Sequence, residues 1–325
     1  MTNTYRYLVI ILLFCFCKTG LLAQKNKFDS LLSAFKRATQ DTLKLQILFE
    51  LVDETDNIKE KLDFNQQAER LSEKLIQGIN DQLKITGKKG MIAVLDNKAS
   101  FFAFHGDFTN AIENLNESLK IAEEINNKKL MALERSNVAM IYGEQGNFEE
   151  ALKNLFVSLK ISEEINNKDR IIDNYIRLGR IQYAAGKYAE SLKSYLISLR
   201  MNEERVTLAT QSRDSAELRK GKIGIVSSYN SIADIYKAQD NYDKAIEFRL
   251  SCMKIFEDLK FNDGIEDLCD ELGSDYEKKS EYDKALETYF KMLKLCKNDN
   301  DQQGVATAYE RIGFVYCIKR ILITH

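Results

Sequence analysis

Three glycines set the length scale of this chain. Gly106, Gly146 and Gly186 lie forty residues apart, and each is followed two residues later by an aromatic side chain: Phe108, Phe148 and Tyr188. Five residues beyond each glycine stands a small side chain (Ala111, Ala151, Ser191), and four further on a large one (Leu115, Leu155, Tyr195). A fixed period in this range identifies a repeat array, in which each unit buries its apolar face only by stacking on its neighbours. Within one period Phe148, Ala151, Leu152, Leu155 and Leu159 recur at three- and four-residue steps, the stripe of an amphipathic helix. Forty residues accommodate two helices of about 17 residues, each roughly 26 Å long at about 1.5 Å per residue. The expected unit is a helix (A) that ends at a Gly-Asn-Phe or Gly-Lys-Tyr turn and a second helix (B) that begins at the aromatic. Glycine supplies the backbone freedom of that turn, and the small residues let the two axes approach closely. Helix B is expected to stop at Ile125-Asn126-Asn127-Lys128 and again at Ile165-Asn166-Asn167-Lys168. The chain has no proline, so asparagine, which tolerates the left-handed conformation, does the stopping.

The run Val138-Ala139, Tyr142, Gly146, Phe148, Ala151 has counterparts in Leu178-Gly179, Gly186, Tyr188, Ser191 and in Leu272-Gly273, Tyr276, Tyr282, Ala285. In these residues the chain resembles the tetratricopeptide repeat, in its longer forty-residue form. The resemblance implies an all-α solenoid, a right-handed superhelix of helix–turn–helix repeats. It also implies that helix A lines the inner face, where peptide ligands lie, and that an asparagine on helix A bonds the ligand backbone.

Along the chain the expected parts are as follows. Residues 1–23 read as a secretory signal: Arg6 precedes the apolar run Leu8 to Cys17, too short to span a bilayer comfortably, and Ala23 precedes the polar Gln24. Residues 24–87 read as capping helices and a degenerate first repeat, with Leu71, Leu75 and Ile79 placed forty residues before Ala111, Leu115 and Leu119. Repeats follow over 88–204. Asp240-Asn241-Tyr242 lies 54 residues after Gly186 rather than forty, so 205–224 is an insertion, either a lengthened helix B, a solvated loop or a flap over the binding face. Repeats resume over 225–304, and 305–325 is a last helix A whose apolar face has no helix B and suits self-association.

Composition excludes several classes of function. The net charge is −2, and removal of Arg6 and Lys18 with the signal would make it −4, with no basic tract to favour a nucleic acid or an anionic membrane. The two histidines, His105 beside a turn glycine and His325 at the end, have no second ligand near them in sequence. No metal, cofactor or catalytic group is therefore expected. Cys252, Cys269, Cys296 and Cys317 fall in apolar stripes and are expected as buried thiols. The pairs Glu123-Glu124, Glu163-Glu164 and Glu203-Glu204 recur with the period as solvated faces.

What remains is the face of helix A. By register with the family, the ligand-bonding asparagine falls on Asn97 and Asn137, with Arg177, Ser231 and Glu271 in the same place elsewhere and Asn230 one residue off. Neighbours on that face are Ser136, Met140, Ile176, Arg180, Tyr183, Asp234, Lys237, Asp270 and Glu277. The expectation is a non-enzymatic scaffold for protein or peptide segments, exported to the periplasm, or held at the membrane if the leader is uncleaved. The Asp41-Thr42-Leu43-Lys44 segment ahead of the array is similar to that of the sensory halves of bacterial signalling proteins. That resemblance implies a sensor without its output domain or a free adaptor. The alternative is an accessory or substrate-binding region of an envelope enzyme or assembly complex.

Overall fold

Helices end where the asparagine pairs and turn glycines stand. Asn126 and Asn166 take left-handed φ values of 48° and 51°. The next amide closes the last helical turn, Asn127 N donating to Ala122 O at 3.0 Å and Asn167 N to Ser162 O at 2.9 Å. The side chain of that second asparagine then accepts from Leu130 N or Arg170 N and caps the following helix. One dipeptide ends one helix and starts the next. Gly106, Gly146 and Gly186 have φ of 80°, 84° and 73°, a region that strains any residue with a Cβ. Asp240 and Ser280 hold the same place at 57° and 61°, so the turn geometry persists where the glycine does not.

The computed structural model describes residues 19–324, and within them the chain is fourteen α-helices with no strand. The fold is an all-α solenoid in which, within each unit, helices pack chiefly on their neighbours in sequence. It divides into two units, Thr19–Ala185 and the residues from Gly186 onward.

The first unit contains α1 (Thr19–Arg37), α2 (Asp41–Glu54), α3 (Ile58–Gln77), α4 (Asp81–Phe104), α5 (Phe108–Glu124), α6 (Lys128–Gln145), α7 (Phe148–Glu164) and α8 (Lys168–Ala184). From α4 onward A and B helices alternate as expected. Ala99 and Ala111 share one buried cluster, and Ala139 and Ala151 another with Leu155, Leu159 and Leu178. The first repeat is not in phase at forty residues. α3 starts at Ile58 behind its cap Asn57, fifty residues before α5 starts at Phe108 behind Asp107, so Leu71 does not stand where Ala111 stands, and Ile79 lies beyond the helix at 98% exposure. The extra length is shared by α3, at 20 residues against 17 in α5, and by α4, which runs 24. Most of the expected leader, residues 1–18, lies outside the described residues, and α1 runs across Ala23 and Gln24. No helix of the described residues is long and apolar enough to cross a membrane.

The second unit contains α9 (Tyr188–Ser212), α10 (Ser215–Ala238), α11 (Tyr242–Leu259), α12 (Asn262–Lys278), α13 (Tyr282–Asn298) and α14 (Gln302–Thr324). The insertion at 205–224 is neither a loop nor a flap. Both helices flanking it are extended, α9 to 25 residues and α10 to 24, and they meet at a two-residue turn in which Arg213 is left-handed and Asp214 caps α10. The core runs through Cys252, Cys269, Leu272, Ala285, Tyr289 and Cys296. Gly273 is required by its neighbour, because a Cβ there would lie 2.3 Å from the Tyr289 ring. Cys317 is exposed, contrary to the expected burial. It falls on the side of α14 that also leaves Tyr309, Phe314, Tyr316 and Ile321 open.

Ala151 is fully buried and Glu149 on the same helix is exposed. Ala151→Leu is expected to overpack the crossing by about 1–3 kcal/mol, with Glu149→Leu close to neutral. Chemical denaturation of the two variants would show the packing register to be wrong if both were equally harmless.

Candidate functional site

In the B helices α5 and α7 one register position is filled by Leu115 and Leu155, both buried. In α11 the same position carries Arg249, 1% exposed. A guanidinium in that place needs partners for its N–H groups, and two A helices supply them. Its Nε donates to Asp275 Oδ2 at 2.7 Å, Nη1 to Asn230 at 2.7 Å and to Glu271 at 2.9 Å, and Nη2 to Asp234 at 2.8 Å. Asp275 is itself fully buried and occupies the place that Ile141, Ile181 and Ile235 take in other repeats. Lys237 sits 3.2 Å from its second oxygen. Burial opposes the Arg249 charge, but Glu271, Asp234 and Asp275 outweigh that and hold it firmly protonated. Burial pushes Glu271 up to about 7 against the pull of Arg249.

Of the expected ligand-face residues, then, Asn230, Asp234 and Lys237 come together, gathered by an arginine from helix B. Asp270 stands apart in a two-point pair with Arg311 of α14, at 2.7 and 3.0 Å. Glu277 accepts from the Tyr289 hydroxyl at 2.5 Å.

In the first unit the expected residues are less connected. Asn97 donates to Asn65 Oδ1 at 2.9 Å, and Asn65 to Val94 O at 3.1 Å, so the Asn97 amide is engaged with helix α3. Ser136 is fully buried and cannot touch a ligand lying on the face. About 100° of rotation per residue separates it from Asn137, enough to carry it under the helix. Asn137, Met140, Ile176 and Tyr183 are half-buried and Arg180 is exposed. Beside them Asp173 accepts from Arg170 at 2.8 Å and from Arg177 at 3.0 Å.

The A-helix face of this unit also covers a group absent from the expected set. Glu134 is fully buried in a position held by Val94, Asn174, Ser228 and Leu268 elsewhere, with Asp96, Ser118 and Asn137 about it. Burial, then hydrogen bonding and repulsion from Asp96, push it up to about 9, while Ser118 and Asn137 work against the shift. Asp96 is raised as well, by burial. Burial therefore drives both carboxyls toward their protonated forms. The register gives all three of these residues away. Arg249, Asp275 and Glu134 are charged side chains at positions that hold uncharged ones in other repeats: Leu or Tyr, Ile, and Val, Asn, Ser or Leu.

Two other polar groups have structural explanations. Glu266, Cys296 and Asp301 bring ligand atoms within 4.8 Å of one another, but both Asp301 oxygens accept from the first amides of α14, Gln303 N and Gly304 N. His105 ends α4, its Nδ1 2.8 Å from Phe101 O.

Comparison with known proteins identifies the repeats. Profiles of the family described as Tetratricopeptide repeat match residues 130–204, 226–258 and 268–303, which cover α6 to α13 apart from the α9–α10 junction and the α11–α12 turn. The chain is a tetratricopeptide-repeat protein. A search of curated proteins by sequence found no match. Among solved structures the chain is similar to BtubC from P. vanneervenii, at 17% identity and a TM-score of 0.52, covering 82% of this chain and 93% of that one. It is similar to a Rap protein complexed with competence and sporulation factor, at 15% identity and a TM-score of 0.54, covering 92% and 86%. It is also similar to the apo form of the quorum sensor NprR from B. thuringiensis, at 14% identity and a TM-score of 0.52, covering 91% and 75%. At these identities the likeness concerns the fold.

Two measurements test the buried charges. Removing Arg249 alone leaves Asp275 buried beside only Lys237, so Arg249→Leu should destabilise by about 3–5 kcal/mol. The double variant Arg249→Leu/Asp275→Ile restores the residues of the other repeats and should recover most of that loss in urea denaturation. Glu134 has a folded-state value above its unfolded one, so the folded chain holds the extra proton between about 4.5 and about 9. Its contribution is fully present below that window and falls as pH rises through it. Relative to Glu134→Gln, the wild type should lose about 1 kcal/mol or more between pH 5 and pH 9.

Proposed function

We propose that this chain is a non-enzymatic receptor for a peptide or protein segment, acting as an exported sensory or adaptor module in signal transduction, with the ligand on the A-helix faces. The observation that carries this reading is the Arg249 network. It fixes Asn230, Asp234 and Glu271 in one geometry at the surface of α10 and α12, with both acidic side chains still about two-fifths exposed, 39% for Asp234 and 40% for Glu271. Polar groups held in place before a ligand arrives lose less freedom on binding than mobile ones. An amide such as Asn137 offers a donor and an acceptor to a peptide backbone whatever the ligand's sequence, and Asn230 is held beside the acidic pair by Arg249. The role of the Rap and NprR proteins, as their descriptions give it, is in keeping with this reading. Export rests on the apolar run Leu8 to Cys17 and the Ala23-Gln24 junction.

Ligand captured by the full chain from envelope extract provides the test. Asn137→Ala with Arg180→Ala, or Asn230→Ala alone, should weaken it roughly ten- to hundredfold, while Glu163→Ala on helix B leaves it unchanged. Equal affinity across all variants would remove the A-helix face from the reading. Amino-terminal sequencing of the same material should begin at Gln24. A chain retaining Met1 in the membrane fraction would replace a free periplasmic protein with an anchored one.

A further inference from the structure

The charges around Arg249 do not balance. Asp234, Glu271 and Asp275 contribute three carboxylates, and Arg249 and Lys237 contribute two cations, all within 3.2 Å of a partner. The buried members compensate one another: Arg249 at 1% exposure meets Asp275 at 0%, and Lys237 covers the second Asp275 oxygen. The surplus negative charge is therefore left on the two members that reach solvent, Asp234 on α10 and Glu271 on α12. Charges on the adjoining elements do not supply the missing cation. Arg311 of α14 is committed to Asp270, and Glu277 is met by the neutral Tyr289 hydroxyl of α13.

We infer that the paired carboxylates of Asp234 and Glu271, braced from beneath by Arg249, form a subsite for one cationic side chain, an arginine or lysine, of the bound peptide. This inference rests on the receptor reading and specifies its ligand. A guanidinium or ammonium at this place meets two acceptors already fixed in position and brings the network to neutrality. Asn230 stands beside them, its amide oxygen accepting from Arg249. Burial, with a smaller contribution from Asp234, pushes Glu271 up to about 7, where it faces Arg249 from α11, Asp234, Asn230 and Lys237 from α10, and Asp275 on its own helix. A bound cation would pull that value down, so binding should release a proton and weaken as the solution is acidified.

The experiment uses the full chain and three pools of fluorescein-labelled decapeptides, random except for a central pair fixed as Arg-Arg, Ser-Ser or Glu-Glu. In fluorescence anisotropy at pH 8 the Arg-Arg pool should bind at least tenfold more tightly than either other pool, and its affinity should drop severalfold at pH 6. Asp234→Asn/Glu271→Gln keeps acceptors for Arg249 and should abolish the preference. Glu247→Gln/Glu287→Gln, which removes the same charge from exposed positions on helix B, should leave it intact. The comparison of pools on the wild type needs no variant to fold. Tighter binding of the Ser-Ser or Glu-Glu pool, or equal loss in the two double variants, would overturn the cationic subsite and leave the receptor reading standing. Absence of saturable binding by every pool would overturn both.

Discussion

Close crossing of helix A on helix B is the constraint on which the repeats depend. Ala99 with Ala111, Ala139 with Ala151, and within the second unit Ala233 with Ala245 and Gly273 with Ala285, are all buried at the same two places in the repeat. With no side chain to hold the axes apart, the large residues four positions on can reach across into the next layer. The size of the small residue then sets what the large one can be. Alanine at 139 accompanies Leu155, whereas glycine at 273 accompanies Tyr289, whose ring lies where a Cβ would be.

That same large position is where the array departs from a purely apolar core. Leucine gives way to Arg249, and the adjoining isoleucine position gives way to Asp275 in the following A helix. A buried ion pair is weak evidence for stability, since desolvation offsets most of the attraction. Its consequence lies in geometry. Arg249 reaches from the core to the A-helix surface and fixes side chains from two helices that would otherwise move independently. Glu134 and Asp96 differ in the first unit, placing beneath the face two carboxyls that burial pushes toward protonation.

Much of this was legible in the residues. The forty-residue spacing, the glycine turns and the asparagine pairs specify helix ends, and the structure places them there because left-handed backbone and side-chain caps are local properties. Reading failed where spacing was the only guide. Leu71 and Ile79 match the period, yet α3 starts fifty residues before α5 rather than forty, since α3 and α4 are both lengthened about the turn that joins them, which left the period of the following repeats untouched. The fourteen extra residues after 204 read equally as loop or helix, because the stretch is polar and its turn, Arg213-Asp214, carries no glycine.

The candidate site was legible only in part, for a similar reason. Register put Asn230, Asp234, Lys237 and Asp270 on the A-helix face, but it also put Ser136 there, a residue one position over and fully buried. The partners of those residues could not be read at all. Arg249 lies 15 to 26 residues from the groups it binds, and Arg311 lies 41 from Asp270. Local sequence determined which stretches became helices, where they stopped and which face was apolar, because those depend on neighbours within about one or two turns. Which charged side chains met between helices was decided by stacking. The pairing energy of a buried charge exists only once two helices have excluded water from between them.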